Sequence, residues 1–329
     1  TGKPKGTVVG HAAFCTGGSA HGSIMGMNES SRVLQFASYT FDASIMEILS
    51  TLLVGGCICI PSDQERMNDL AAAINKFNIN WTLLTPSVVN VLKPGSVPGL
   101  KVLVTGGEAM SRDHITKWSG EAALVNAYGP SETSVIAATH TKVDEDGTIL
   151  NDQPATIGHG VGSRSWVIDP RNHNRLMPIG SIGELLVEGP IVARGYLNNE
   201  VKTRDAFIEH PSWRSNMKLA GNRTDRMYKT GDLVVYNTDG SINYVARKDT
   251  QIKLNGQRIE LGEIEHHVKA NLPEDCQSVV DLVIPQSKAG TKALAVFFTP
   301  AEATEVEDVS DVADILLPMS SHATDLAKS

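Results

Sequence analysis

Short apolar runs alternate with helical patterns through the first third of this chain, and this alternation restricts the possible fold more than any other feature. Strand-like runs cover residues 33–36, 53–60, 81–84 and 100–105. Apolar residues at helical spacing cover residues 41–49 and 69–77. Strands that alternate with helices indicate a parallel α/β sheet. Because ligands of such sheets bind beyond the carboxyl ends of the strands, the loops after these strands are the candidate binding loops.

The pattern then changes to short β-segments. Alternating segments separated by Gly and Pro cover residues 163–196 and predict a small β-barrel or a distorted sheet. A hairpin, a helix and two more strands follow a break at Lys248 and Asp249, and they predict a compact α+β module. We therefore expect an α/β protein with a large core subdomain at residues 1–248, made of α/β sheets plus a small β-barrel, and a smaller α+β subdomain at residues 249–329.

The stretch Asn-Ala-Tyr-Gly-Pro-Ser-Glu-Thr at residues 126–133 holds the densest set of candidate ligand-binding groups. It lies between two apolar runs, which predicts a strand, a tight Gly-Pro turn and then a strand or helix start. Tyr128 offers a flat ring, Asn126 an amide, Ser131 a hydroxyl and Glu132 a carboxylate. A purine, a phosphate and a magnesium ion together would need this set. A surface turn with ordinary polar residues is the alternative interpretation.

Asp42 has no evident structural duty at the start of the helix predicted over residues 41–49. Ser44 and Glu47 match the S-x-x-E capping box, so the helix start is already served. Either Asp42 is the true cap and Ser44 is a spare, or Asp42 is a buried carboxylate that awaits a cationic ligand, because an unpaired buried carboxylate is costly.

Three weaker features each allow two interpretations. The glycine-rich basic start, with Lys5 and Gly6, could close around phosphate oxygens or be a frayed basic terminus. Gly106 and Gly107 could let the backbone approach a planar ligand or form a plain turn. Asp232, just after a glycine turn, could accept both hydroxyls of a ribose or be an ordinary turn aspartate.

Charge and composition exclude several classes of function. The net charge of -8, with no basic stripe, argues against a nucleic-acid groove. No apolar run approaches the ~18 residues of a membrane span, and no signal-like segment begins the chain, so we expect a cytoplasmic protein without membrane contact. Cys57 and Cys59 share one face of an apolar run, which favours buried thiols in a reducing compartment. His266 and His267 lack a third ligand, so no metal cluster is predicted.

Six segments then occur in a characteristic order between Thr1 and Glu265. They read TGKPKG, FDASIMEIL, NAYGPSET, GELLVEGPIVARGYLN, YKTGDLV and ARKDTQIKLNGQRIELGEIE. This ordered set resembles the adenylate-forming (ANL) superfamily and, within it, the adenylation domains of nonribosomal peptide synthetases, most like those of filamentous fungi. One such segment is weak evidence, whereas six in the right order make a chance match negligible.

The resemblance implies a nucleotide site. It assigns Lys5 to the phosphate loop, Ser131 to the α-phosphate and Glu132 to the Mg²⁺ ion as catalytic residues. The residues implied to bind the adenine and ribose are Gly107, Glu108, Ala109, Asn126, Tyr128, Asp232 and Arg247. Asp249 matches the hinge about which the small, mobile subdomain turns between adenylation and thioester formation.

The resemblance also implies an amino-acid pocket. Asp42 matches the aspartate that pairs with the α-ammonium of the substrate, which would supply the missing cation. The implied side-chain walls are Ala43, Met46, Leu83, Val104, Gly106, Ala127, Val135 and Ile136. None of these side chains is charged or donates a hydrogen bond, so we expect an apolar or modified amino acid. Selectivity by one methylene is worth only ~1–3 kcal/mol, so relaxed selectivity is expected.

The implied reaction uses ATP and Mg²⁺ to form an aminoacyl-AMP, and the aminoacyl group then passes to a phosphopantetheine thiol on a carrier domain. Carrier and condensation domains of the same synthetase are the implied partners, and a peptide natural product or siderophore is the implied outcome. The family's N-terminal part and the lysine of its late Gly-Lys motif have no match here, since Lys328 lies in another context. We therefore expect a segment of a longer polypeptide, with both subdomains truncated.

Two alternatives stay open from the sequence. The first is an acyl- or aryl-CoA ligase of the same superfamily, against which Asp42 argues because such substrates lack an ammonium group. The second is a catalytically inactive nucleotide-binding scaffold domain.

Overall fold

A computed structural model of the chain describes residues 5–214, 217, 226–248, 251–254, 257–272, 276, 278–283 and 293–298. The predicted hinge Asp249, the first four residues of the glycine-rich start and Lys328 lie outside these residues. The chain divides into two compact units, Thr1–Glu260 and Leu261–Ser329.

The first part of unit one is a mostly parallel sheet with helices between its strands. A separate short strand, β1 (Thr7–Val8), comes first. The strands of the sheet are β2 (Arg32–Leu34), β3 (Cys57–Cys59), β4 (Trp81–Leu84), β5 (Val102–Gly106), β6 (Ala123–Tyr128), β7 (Ala138–Val143) and β8 (Thr156–Gly160). Its helices are α1 (His11–Ile24), α2 (Asp42–Leu53), α3 (Asp63–Asn68), α4 (Leu70–Lys76), α5 (Pro86–Val89) and α6 (Arg112–Trp118). The order β3-β2-β4-β5-β6 is parallel throughout, and β7 and β8 continue it antiparallel. The predicted parallel α/β sheet is confirmed.

An antiparallel sheet continues from β8. Its elements are β9 (Arg164–Asp169), β10 (Asn172–Leu176), β11 (Gly183–Glu188), β12 (Gly195–Tyr196), α7 (Glu200–Ala206), β13 (Phe207–Glu209), β14 (Arg226–Tyr236) and β15 (Ile242–Arg247). The strand order is β10-β9-β11-β14-β15-β8, with β13 beside β14 and register shifts within several pairs. Among the described strands no pairing closes this sheet into a barrel, so of the two expected forms the distorted sheet is the one present. β12 pairs with β1 instead.

The remaining elements are short. β16 (Gln251–Leu254) and β17 (Gln257–Glu260) form the predicted hairpin at the end of unit one. Unit two contains α8 (Leu261–Ala270) and the antiparallel pair β18 (Ser278–Val283) and β19 (Ala293–Phe298). The Glu265 carboxylate accepts the backbone N–H of Val280 at 3.0 Å and so links α8 to β18.

The central parallel strands are apolar on both faces because both faces are buried. Leu103 and Leu124 point into one hydrophobic cluster, whereas Val102, Val104 and Val125, their neighbours along the strands, point into another. Side chains alternate between the faces of a sheet, so a strand covered on both sides reads as a continuous apolar run. This burial explains why the pattern over these strands is uninterrupted.

The predicted capping box at the start of α2 is wrong. Phe41 is the N-cap residue and makes no side-chain cap. The Ser44 hydroxyl instead donates to the Phe41 carbonyl oxygen at 2.7 Å. The fully buried Glu47 carboxylate accepts the backbone N–H groups of Phe36 and Ala37, at 3.1 Å each, from the loop before the helix. Glu47 therefore holds the loop between β2 and α2 and does not cap the helix.

All four cysteines are free, as expected, but the expected burial holds only in part. Cys59 and Cys276 are buried, whereas Cys15 and Cys57 are exposed. β3 is the last strand of the sheet order, so the start of this strand lies at an uncovered edge. In the part of the chain that the structure describes, no helix has both the length and the apolar character needed to cross a membrane.

Candidate active site

The candidate site is built around the turn that follows β6. Gly129 begins this turn so close to the outgoing chain that a Cβ atom would lie 2.2 Å from the Val135 carbonyl oxygen and 2.7 Å from the Ala137 nitrogen. The Ala137 N–H donates to the Tyr128 carbonyl oxygen at 2.8 Å across the same narrow gap. Only glycine can occupy this position without displacing the backbone, and the turn therefore projects its polar residues from a rigid base.

The end of the turn is held in an unusual backbone conformation. Ser134 and Val135 have φ values of 57° and 79°, which lie in the left-handed region. This conformation is uncommon for any residue other than glycine and rare for a β-branched residue such as Val135. Such residues carry about 1–3 kcal/mol of strain each and persist only where the surroundings hold them. The buried Ser134 hydroxyl donates to the Ile191 carbonyl oxygen at 2.7 Å. This contact fixes the turn against the segment between β11 and β12.

Asp42 and Ser131, which the sequence could not relate, lie in direct contact. The Ser131 hydroxyl donates to Asp42 Oδ2 at 2.5 Å, although the two residues are 89 positions apart. Asp42 is half-buried and is the first residue of α2, where the helix dipole favours a carboxylate. The group predicted to bind a substrate ammonium is therefore next to the hydroxyl predicted to bind a phosphate.

Glu132 is 4% exposed, and its position is set from the β11–β12 side. The Tyr196 hydroxyl donates to Glu132 Oε1 at 2.6 Å, and the Ala193 N–H donates to the Glu132 carbonyl oxygen at 2.8 Å. Lys5 lies over the Tyr196 ring, with Nζ 5.8 Å from the ring centroid. Sequence reasoning missed Tyr196, although it belongs to the matched segment GELLVEGPIVARGYLN.

Tyr128, Asp232 and Arg247 form one buried cluster. The Tyr128 hydroxyl donates to Asp232 Oδ2, and Arg247 donates from one guanidinium nitrogen to Asp232 Oδ1 at 2.9 Å. Asp232 and Arg247 are direct partners in the β14–β15 register. Burial, followed by the charge of Asp232, raises the pKa of the Tyr128 hydroxyl well above its usual value, so Tyr128 stays protonated and donates. The antiparallel sheet thus places two predicted ribose-binding residues beside the predicted adenine-binding ring.

Asn126 lies on β6 and is held through its amide. Its Nδ2 donates to the Thr156 carbonyl oxygen at 3.0 Å. The fully buried Lys142 ammonium donates to the same oxygen at 2.9 Å and to the Gln153 carbonyl oxygen at 2.7 Å. Burial lowers the pKa of Lys142 to about 8. This shared acceptor fixes the orientation of the Asn126 amide.

The loop after β5 carries the other predicted adenine contacts, Gly107, Glu108 and Ala109. Gly107 has φ 82°, a conformation that glycine adopts without strain. Glu108 Oε2 accepts from the Ser87 N–H at 3.0 Å and from its hydroxyl at 2.5 Å. Glu108 Oε1 is buried and has no hydrogen-bond partner among the described residues. The loop is thus tied to the start of α5 with one acceptor atom still available.

The predicted pocket walls also come together. One hydrophobic cluster contains Met46, Leu83, Val104, Ala127, Val135 and Ile136. Gly106 is the register partner of Ala127 across β5 and β6, and a Cβ atom on it would lie 2.9 Å from the Ala127 carbonyl oxygen. Ala43 is half-buried in the first turn of α2, next to Asp42. The tertiary structure therefore places an apolar cluster beside the Asp42–Ser131 pair.

A magnesium ion fits this site through one carboxylate. No group of three or more His, Cys, Asp or Glu side chains that could enclose a metal ion occurs among the residues that the structure describes. Mg²⁺ is commonly held by one or two carboxylates together with substrate phosphates. Glu132 presents Oε1 to Tyr196, and no described donor pairs with Oε2. The donor set therefore suits a metal that arrives with a phosphate ligand.

Comparison with known proteins agrees with this geometry. A family model described as "AMP-binding enzyme" matches residues 1–197. The chain is 71% identical over 329 residues to nonribosomal peptide synthetase 4 of Gibberella zeae, a match that covers 100% of this chain and 4% of that protein. It is 54% identical over 281 residues to N-benzoylphenylalaninol synthetase apmA of Penicillium brevicompactum, covering 85% of this chain and 11% of that protein.

A solved structure is similar as well. PA1221, described as a nonribosomal peptide synthetase protein containing adenylation and PCP domains, superposes with a TM-score of 0.72 at 28% identity. That match covers 90% of this chain and 58% of the PA1221 chain. The chain thus spans a small fraction of the curated relatives that it matches, and rather more than half of this solved one.

Proposed function

Because the chain belongs to the AMP-binding enzyme family and, within it, to adenylation domains of the fungal nonribosomal peptide synthetase type, we propose that it uses ATP to convert an amino acid into an aminoacyl-AMP. The aminoacyl group then passes to the phosphopantetheine thiol of a carrier domain. The observation that carries this proposal is the 2.5 Å hydrogen bond between Ser131 and Asp42. It supports the proposal because the carboxylate proposed to bind the substrate ammonium is the hydrogen-bond partner of the hydroxyl proposed to bind the α-phosphate, and an amino acid and a nucleotide would have to meet at such a pair.

In the proposed reaction the substrate carboxylate attacks the α-phosphorus of ATP, and pyrophosphate leaves. Asp42 pairs with the substrate ammonium, and the Ser131 hydroxyl then turns its single proton from Asp42 Oδ2 to the α-phosphate. Lys5 contributes positive charge near the phosphates. Held by Glu132 and the phosphates, Mg²⁺ would neutralise charge on the transferred group. Catalysis of this kind depends on positioning and charge neutralisation, and both substrates are anchored on rigid elements here.

The nucleoside would be held by the cluster of Tyr128, Asp232 and Arg247. Both oxygens of Asp232 already accept a protein hydrogen bond. Each carboxylate oxygen can accept more than one hydrogen bond, so both ribose hydroxyls still have acceptors. The Tyr128 ring would stack on the adenine, with Asn126 and the loop of Gly107, Glu108 and Ala109 at its edge.

The substrate class follows from the apolar cluster. The walls Ala43, Met46, Leu83, Val104, Gly106, Ala127, Val135 and Ile136 offer no side-chain charge, so we infer an apolar or modified amino acid. We further infer that carrier and condensation domains are the partners, that the C-terminal subdomain turns about Asp249, and that the product is a peptide natural product. The free state of all four cysteines supports a cytoplasmic location.

A CoA ligase of the same family is not favoured. Its substrates lack the ammonium group that Asp42 would bind, and the similar proteins named above are a nonribosomal peptide synthetase and an N-benzoylphenylalaninol synthetase. Intact Asp42, Ser131, Glu132 and Asp232 also argue against an inactive scaffold.

The test is amino-acid-dependent ATP–pyrophosphate exchange by the intact protein across apolar, aromatic and modified amino acids. Asp42→Asn removes the charge and keeps the shape, so kcat/KM for the amino acid should fall roughly 10- to 150-fold, the value of one hydrogen bond to a charged group. Nucleotide binding should change less than twofold. Asp113→Asn, in the first turn of α6 and exposed, is the matched control. Exchange that needs no amino acid, or that Asp42→Asn leaves intact, would contradict the proposal.

A further inference from the structure

Tyr196 contacts two of the groups proposed to act on the phosphates. Its hydroxyl donates to Glu132 Oε1 at 2.6 Å, and its ring faces the Lys5 ammonium at 5.8 Å. A cation within about 6 Å of an aromatic centroid is attracted to the ring face. One side chain therefore contacts both the proposed metal ligand, Glu132, and the proposed phosphate-loop lysine, Lys5. Tyr196 lies in neither the motif that contains Glu132 nor the motif that contains Lys5.

The backbone keeps Tyr196 fixed relative to the Glu132 turn. The Ala193 N–H donates to the Glu132 carbonyl oxygen at 2.8 Å, and the Ser134 hydroxyl donates to the Ile191 carbonyl oxygen at 2.7 Å. Together with the Tyr196 hydroxyl, these are three hydrogen bonds between one short segment and one turn. The segment from residue 191 to 196 thus fixes the position of the turn.

The same strand aligns the glycine-rich start. β12 pairs with β1 so that Thr7 faces Tyr196 and Val8 faces Gly195. The Leu197 N–H also donates to the Gly6 carbonyl oxygen at 2.7 Å. Lys5 therefore comes directly before residues that are hydrogen-bonded to β12, the strand of Tyr196, and to the residue after it.

Further contacts restrain the ring and the backbone of Tyr196. The Phe207 ring packs edge-on against it with a centroid separation of 5.5 Å. The Tyr196 N–H donates to the Thr203 hydroxyl oxygen at 2.9 Å. Backbone and ring are both restrained, so the hydroxyl can direct the Glu132 carboxylate and does not simply follow it.

We propose that Tyr196 is a positioning residue that orients the Glu132 carboxylate for the metal–nucleotide complex. The inference rests on the proposed function. By occupying Oε1, the hydroxyl fixes the rotamer of Glu132 and turns Oε2 toward the metal. Groups that orient metal ligands in this way change metal affinity by about 10- to 100-fold when they are removed.

The test measures metal binding directly. Mn²⁺ replaces Mg²⁺, and its binding to the intact protein is followed by electron paramagnetic resonance with a non-hydrolysable ATP analogue held below the protein concentration, so that little free nucleotide competes. Tyr196→Phe keeps the ring and loses the hydroxyl, so the Kd for Mn²⁺ should rise about 10-fold. The KM for the amino acid should stay within twofold of wild type, which a general structural defect would not allow.

Tyr236→Phe is the matched control. Its hydroxyl donates to the Ser165 carbonyl oxygen in the antiparallel sheet, and none of its described hydrogen bonds reaches Glu132. The Mn²⁺ affinity of this control should equal that of the wild type. An equal rise in both variants, or unchanged affinity in Tyr196→Phe, would overturn the proposal.

A double variant tests whether Tyr196 acts through Glu132. In a Glu132→Gln background, Tyr196→Phe should change Mn²⁺ affinity by less than twofold, because the carboxylate that it orients is gone. A full, independent effect in that background would refute a positioning role. If the wild-type protein binds Mn²⁺ with nucleotide and Tyr196→Phe weakens it, yet no amino acid supports exchange, the proposed function fails while this inference stands.

Discussion

Replacing Gly129 with alanine should collapse the candidate site, because this position has no room for a side chain. A Cβ atom would lie 2.2 Å from the Val135 carbonyl oxygen, 2.7 Å from the Ala137 nitrogen and 2.8 Å from Ile136 Cα, whereas ordinary contact begins at 3.4 Å. All three are backbone atoms, so no side chain can rotate away. The turn must therefore move by about 1 Å, since close-packed interiors do not absorb such an overlap.

The expected magnitude follows from that displacement. Overpacking of this kind costs about 1–3 kcal/mol, and the hydrogen bond from the Ala137 N–H to the Tyr128 carbonyl oxygen contributes about 1 kcal/mol more if it breaks. For a unit of this size the melting temperature should fall by roughly 5–15 °C. A shift of about 1 Å at Ser131 and Glu132 should lower the exchange rate by roughly 100-fold.

The assay pairs thermal melting of the intact adenylation domain with ATP–pyrophosphate exchange. Gly99→Ala is the control, because nothing lies within 4 Å of a Cβ atom there and its φ is not in the left-handed region. Gly99→Ala should match the wild type in both measurements. If Gly129→Ala melts within 1 °C of the control and exchanges within threefold of it, the close approach on which the site is built does not exist in solution.

Three further outcomes are expected. Tyr128→Phe removes the hydrogen bond to Asp232 and should raise the KM for ATP roughly 10-fold with little change in the KM for the amino acid, measured by exchange kinetics. Arg214→Met removes the 2.8 Å ion pair of the fully buried Glu188 carboxylate and leaves only Arg164, at 4.0 Å, as a described cationic partner. The free energy of unfolding should fall by about 3 kcal/mol in urea melts, a loss that Arg214→Met combined with Glu188→Gln should partly restore. Burial lowers the pKa of His21 to about 4, so between pH 6.5 and 4 the unfolded chain binds a proton that the folded chain does not. The free energy of unfolding should therefore fall by roughly 3 kcal/mol as the pH is lowered through that range. Urea melts of His21→Gln should lack this part of the pH dependence.

Much of the fold could be predicted from the sequence pattern alone, because that pattern reflects interactions between residues close together in the chain. The strand predicted at Trp81–Leu84 is observed with the same limits, because a strand buried on both faces needs a mostly apolar sequence. The helix before it in the chain, predicted over residues 69–77, begins at Leu70 with Asp69 as a side-chain cap. Both signals depend only on neighbouring residues.

Other local signals misled because a distant partner overrode them. The S-x-x-E pattern at Ser44 and Glu47 is that of a capping box, yet the Glu47 carboxylate binds the loop that arrives from β2. Cys57 alternates correctly with Cys59 but is exposed, since β3 is an edge strand. Neither outcome can be read from four or five consecutive residues, because both depend on what packs against them.

The sequence by itself determined the class of fold, the family, and the chemical groups available to the site. Only the tertiary structure decided which of those groups meet. Ser131 and Asp42 are 89 residues apart, and Tyr128 and Asp232 are 104 residues apart, yet each pair shares a hydrogen bond. Contacts of this range are set by strand register and by the packing of one sheet against its loops, which no local pattern encodes. For the same reason Tyr196, an ordinary residue in its own segment, became visible only through its contact with Glu132.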